Sequence, residues 1–92
     1  MPVHTAREKT KLLARVRRIR GQVEAIERAL EAESGCAEVL HLVAAVRGAT
    51  NGLMAELIED HIREHVVGEE HSKAERDAAA GELVDVVRAY LK

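Results

Sequence analysis

Cys36, His61 and His65 are the residues best suited by type to hold a metal ion or to react with a small electrophile. Cys36 is the only cysteine of the chain. His61 and His65 fall one helical turn apart on a common face, with Glu64 beside them. Two imidazoles at that spacing chelate a divalent ion readily. All three residues lie on what reads as one uninterrupted helix, from about Cys36 to Val67. At roughly 1.5 Å rise per residue, Cys36 and His61 stand about 37 Å apart on it. No single ion reaches both within one subunit. A shared site therefore needs the helix to pair antiparallel with its twin, so that Cys36 of one subunit meets the histidines of another.

The remaining candidates are weaker. Cys36 opens a helix, where the dipole attracts anions, although a cysteine there also serves as a small hydrophobe. His4 sits on a short arm before the first helix and is placed to close onto a site. His41 lies about 140° around the helix from Cys36 and His71 lies in a linker; both read as bystanders. Whether His41, His71 or Glu64 assists a site stays open.

Ninety-two residues make a single domain, here 1–92. There is no Phe or Trp, and Tyr90 is the only aromatic residue besides the histidines. The apolar share is Ala, Val, Leu and Ile, which suits helix packing around a thin core and favours oligomerisation. A lone cysteine excludes an intrachain disulfide and points to a reduced thiol. Met1 to Thr5 has no apolar run of a signal peptide, and no segment approaches a membrane span. The expectation is a soluble, cytoplasmic protein.

A net charge of −2 conceals an asymmetry. Arg7, Lys9, Lys11, Arg15, Arg17, Arg18 and Arg20 stand against Glu8 alone, so the remaining chain is strongly acidic. A basic stripe on an acidic protein points to a polyanion, most often nucleic acid.

Three helices account for the sequence, with no strand or internal repeat, and the fold class is all-α. The first runs from about Ala6 to Glu33, with a heptad seam of Leu12, Val16, Ile19, Val23, Ile26 and Leu30. Lys11, Arg15, Arg18 and Gln22 border one side of that seam, and Arg17 and Arg20 the other. Ser34-Gly35 breaks the helix. The second carries a broad apolar face from Leu40 to Ile62. Ala44, Ala45, Gly48, Ala49 and Gly52 let another helix approach its middle, and Gly68 ends it. Ser72-Lys73-Ala74-Glu75 has capping-box spacing for a shorter third helix. Its expected buried edge is Leu83, Val86, Val87, Tyr90 and Leu91.

The stretch Arg15-Val-Arg-Arg-Ile-Arg-Gly-Gln22, the lone Cys36, and Ala44-Ala-Val-Arg-Gly-Ala-Thr-Asn-Gly-Leu-Met-Ala-Glu56 followed by His61 resemble the CsoR/RcnR/FrmR repressor family. The ending Val86-Val-Arg-Ala-Tyr-Leu-Lys92 fits too. The resemblance covers essentially the whole chain. It implies three-helix protomers assembled as antiparallel dimers into a disc-like homotetramer. It also implies a repressor that binds double-stranded operator DNA when unliganded and releases it when an inducer binds between subunits. Lys9, Lys11, Arg15, Arg17, Arg18, Arg20, Gln22 and Arg47 are the expected DNA contacts. With no aromatic ring to stack on bases, affinity should be mainly electrostatic and specificity should draw on DNA shape.

Copper sensors of this family resemble one another in a second cysteine four residues after the histidine matching His61. Here that position is His65, which disfavours copper(I). Nickel–cobalt sensors resembling RcnR carry an N-terminal histidine, the cysteine and two histidines, a pattern that His4, Cys36, His61 and His65 match. The implied inducer is Ni(II) or Co(II), with Zn(II) also accommodated by the same groups. The alternative is formaldehyde sensing as in FrmR, through a one-carbon bridge between the Pro2 amine and Cys36. Against it stand an extra residue before the first helix and His65 in place of a carboxylate.

Two other classes share parts of this pattern. A metal-dependent hydrolase needs an open coordination position beside a base such as Glu64, and the chain has no pocket-building loops, so it is not read as an enzyme. A helical module binding an acidic protein through the basic stripe would show no salt-sensitive DNA binding.

Overall fold

The computed structural model describes residues 6–67 and 70–90. Its elements are α1 (Ala6–Glu31), α2 (Cys36–His61), a π-helical turn (Ile62–Val67) and α3 (Lys73–Tyr90), with no strand among the described residues. The all-α, three-helix reading of the sequence holds. The described residues fall into two compact units, within Thr5–Met54 and within Ala55–Lys92.

In Thr5–Met54, α1 is built from strong helix formers, with Glu8 in its first turn and Arg28 in its last to complement the helix dipole. It ends two residues earlier than the spacing predicts, at Glu31 and not Glu33. The cause is a Schellman motif. Glu33 N–H donates to the Leu30 carbonyl (3.1 Å) and Ser34 N–H to that of Ala29 (2.9 Å). Glu33 itself takes the left-handed conformation, φ 56°. Gly35 then caps α2, its carbonyl accepting the Val39 N–H at 3.2 Å. The break thus falls at Glu33, and the glycine starts the next helix.

The small residues of α2 meet α1 within the same unit. Ala45, Gly48 and Ala49 face Arg15, Arg18, Ile19 and Gln22 across a groove of about 250 Å³. The heptad seam is only partly closed there. Leu12 and Ala29 are buried, whereas Val16, Val23, Leu30, Leu40 and Val43 remain exposed on the protomer, Leu30 and Leu40 by more than 60%. An apolar stripe left open on both helices suits an oligomer better than a monomer.

In Ala55–Lys92, the second helix is not uninterrupted. It changes from α to π geometry at Ile62, where hydrogen bonds reach one residue further along the chain. Gly68 lies outside the described residues. The predicted capping box at α3 is present: Glu75 N–H donates to Ser72 Oγ (3.1 Å) and Ser72 N–H donates to Glu75 Oε1 (3.2 Å). Lys73 and Asp77 pair across the first turn at 3.0 Å. The buried position of α3 is Ala79, which packs toward the π turn. Of the expected buried edge, Leu83 and Val86 are half-buried, while Val87 and Tyr90 are exposed. Leu91 lies outside the described residues. Among the described residues no helix is long and apolar enough to cross a membrane.

Candidate metal centre and nucleic-acid interface

His61, His65 and His71 gather in Ala55–Lys92. His61 is the last residue of α2 and His65 lies inside the π turn. Their ring centroids are 5.2 Å apart, so the one-turn spacing does place them together. His61 Nε2 lies 2.8 Å from the Ala79 carbonyl. A carbonyl only accepts, so Nε2 carries the proton and the lone pair of the neutral ring is on Nδ1. Metal-binding histidines are oriented by this kind of donation to a backbone carbonyl. His65 is the buried polar residue of the unit, 9% exposed. Its Nδ1 has no hydrogen-bond partner among the described residues. An unsatisfied buried nitrogen costs free energy and calls for a ligand.

His71, read from sequence as a bystander, is in the same cluster. Its ring centroid is 5.9 Å from that of His65, and its Nε2 donates to the Glu64 carbonyl at 2.7 Å. α3 packs against the π turn, an arrangement that helical spacing does not reveal. His71 Nδ1 in turn faces Glu75 Oε2 at 3.6 Å. The Glu75 carboxyl is held below its ordinary value, first by the Ser72 backbone N–H, then by the Ser72 hydroxyl and by His71. Glu64 contributes its main chain to this cluster through that carbonyl. Among the described residues no three His, Cys, Asp or Glu side chains already converge as a metal-holding group.

Cys36 is the first residue of α2 and is exposed. His41 is exposed on the same helix. Pro2 and His4 lie outside the described residues. On α1, Lys9, Lys11, Arg15, Arg17, Arg18 and Arg20 are all exposed, as is Arg47 on α2. Arg15, Arg18 and Gln22 line one side of the α1–α2 groove. Gln22 Oε1 is buried there with no hydrogen-bond partner among the described residues.

A family model described as metal-sensitive transcriptional repressor matches residues 8–89. The chain belongs to this family. It is 43% identical over 89 residues to the transcriptional repressor RcnR of Salmonella paratyphi B, covering 97% of this chain and 98% of that one. It is 52% identical over 89 residues to the uncharacterized protein in the bioA 5′ region of Serratia marcescens, with the same coverage. Among solved structures it resembles a glutamate-to-histidine variant of the formaldehyde-responsive regulator FrmR from Salmonella enterica serovar Typhimurium. That match has a TM-score of 0.88 and 48% identity, over 95% of this chain and 98% of that one. It also resembles the copper-sensing repressor CsoR with Cu(I) from Geobacillus thermodenitrificans, with a TM-score of 0.87 and 25% identity, over 100% of this chain and 94% of that one. As a metal-sensitive repressor, the protein is a regulator and not an enzyme. Members of the family are oligomeric DNA-binding proteins.

Proposed function

We propose that this repressor responds to Ni(II) or Co(II), holding operator DNA when unliganded and releasing it when the ion binds, so that metal efflux or resistance genes are expressed. The observation that carries the reading is the His61–His65 pair with its buried, unpartnered Nδ1. Imidazole-rich sites suit borderline divalent ions, whereas copper(I) favours thiolates. His61 and His65 supply two nitrogens, and Cys36 and His4 supply a thiolate and a third nitrogen from elsewhere in a homotetramer. Zn(II) fits the same groups. The ion would supply the cross-link between those donors.

The 1–92 chain acts here as one sensor domain in the cytoplasm. Lys9, Lys11, Arg15, Arg17, Arg18, Arg20 and Arg47 contact phosphates, and Gln22 offers its unsatisfied oxygen to a base-edge donor. Drawing His4 toward the histidines moves the basic start of α1 out of register with DNA. A coupling of about 1–3 kcal/mol per site, acting over four subunits, suffices to empty an operator.

A second reading is supported by the 48% identity to the FrmR variant and by the exposed thiol of Cys36. Formaldehyde would join the Pro2 amine to Cys36 through a methylene bridge with loss of one water. A DNA-release assay with Ni(II), Co(II), Zn(II), Cu(I) and formaldehyde on one preparation decides between the two. Release by nickel or cobalt, abolished in Cys36→Ala, is the expected result. Release by formaldehyde at low concentration, with no effect of nickel or cobalt, would overturn it.

A further inference from the structure

His71 does more than close a linker. Its Nε2 donates to the Glu64 carbonyl at 2.7 Å, so Nδ1 is the ring nitrogen that can give up its proton to an ion. That nitrogen faces Glu75 Oε2 at 3.6 Å. The separation is long for a hydrogen bond, but two ligands held at 2.0–2.2 Å by a tetrahedral ion stand about 3.4 Å apart. Glu75 is itself fixed: Oε1 accepts the Ser72 N–H, which leaves Oε2 to face the histidine.

His65 completes the arrangement. It lines one cavity of about 210 Å³ together with His71, Glu75, Ala78, Ala79 and Glu82. Its Nδ1 is buried and without a partner among the described residues. Two imidazoles sharing an ion place their ring centroids about 5–6 Å apart, and those of His65 and His71 are 5.9 Å apart. The spacing of the two rings is thus already that of ligands to one ion, although no three donor side chains among the described residues yet converge.

We propose that His65, His71 and Glu75 form a divalent-cation site of the zinc or cobalt class within a single chain, with Glu82 or water in the fourth position. The site needs neither Cys36 nor a second subunit. It shares His65 with the sensor site proposed above, and that shared residue is its only dependence on that reading. An ion held here takes His65 away from any set that includes Cys36, so the two sites compete.

The test is Co(II) titration of the full-length Cys36→Ala protein, followed by absorption and by competition with a chelator. One tetrahedral Co(II) per chain is expected, with no sulfur-to-cobalt charge-transfer band. Adding His71→Ala should weaken that binding at least tenfold, and Glu75→Gln, which keeps the cap on Ser72, should weaken it as well. His41→Ala should leave it unchanged. No cobalt binding in Cys36→Ala, or unchanged affinity in both His71→Ala and Glu75→Gln, would overturn the proposal. A DNA complex insensitive to nickel and cobalt would count against the sensor reading and leave this site standing.

Discussion

His61 ties the end of α2 to α3 through a 2.8 Å hydrogen bond from Nε2 to the carbonyl of Ala79. The bond fixes the tautomer, and long-range proton–nitrogen NMR should find the proton on Nε2 in the metal-free protein. His61→Ala removes the clasp, with an expected cost of about 1 kcal/mol in urea unfolding. Amide exchange should quicken in the first half of α3 and stay unchanged in α1.

Glu33 turns the chain between α1 and α2 in a left-handed conformation that side chains resist. Glu33→Gly should therefore stabilise the fold by about 1 kcal/mol, read as a higher denaturation midpoint. Moving the glycine requirement to Gly35 would be a mistake, since a Cβ there meets nothing within 4 Å and its φ is not in the left-handed region.

Gly52 and Arg15 are in close apposition: a Cβ on Gly52 would stand 3.3 Å from Arg15 Nη1. The end of an arginine can shift a few tenths of an ångström. Gly52→Ala should thus keep or slightly raise stability, since alanine favours the helix by up to about 1 kcal/mol. Displacing the guanidinium should weaken operator binding several-fold. Gly81→Ala, where the Cβ enters open space, should give the stability gain alone. The two variants compared in a gel shift separate the effects.

The start of α3 should respond to acid. The Glu75 carboxyl is a stronger acid in the folded chain because the Ser72 N–H and hydroxyl, and then His71, favour its ionised form. The folded state therefore holds fewer protons than the unfolded one, and stability from this group is fully present above about pH 4.3, the ordinary glutamate value. It is lost as pH falls through the lowered value. Exchange of the Ser72 and Glu75 amides should accelerate across that window, and Glu75→Gln, which still caps, should flatten the profile.

The helices and their caps were legible because they follow from local rules. Heptad spacing located α1, and Ser72 with Glu75 announced α3 three residues apart. The turn at Glu33 was hidden because glycine is the usual occupant of that conformation, and the nearby Gly35 drew the assignment. The π turn was hidden because side-chain spacing alone does not report a shift of one residue in backbone hydrogen bonding. His61 and His65 were legible as neighbours on one helix. His71 was not, because it meets His65 only through the packing of α3 against the π turn. The apolar seam was visible in sequence, yet its residues Val16, Val23 and Leu30 are exposed, because spacing marks which face is apolar and not whether one chain suffices to cover it.

The π turn makes ligand geometry a question of chain length as well as side-chain identity. Each residue of a regular helix advances the direction of its side chain by about 100°. Losing one residue between His61 and His65 would swing His65 away from its neighbour by an angle of that order, with both imidazoles retained. Insertions and deletions between His61 and His65, inside the π turn, would therefore reshape the proposed site while leaving both of its histidines in the sequence.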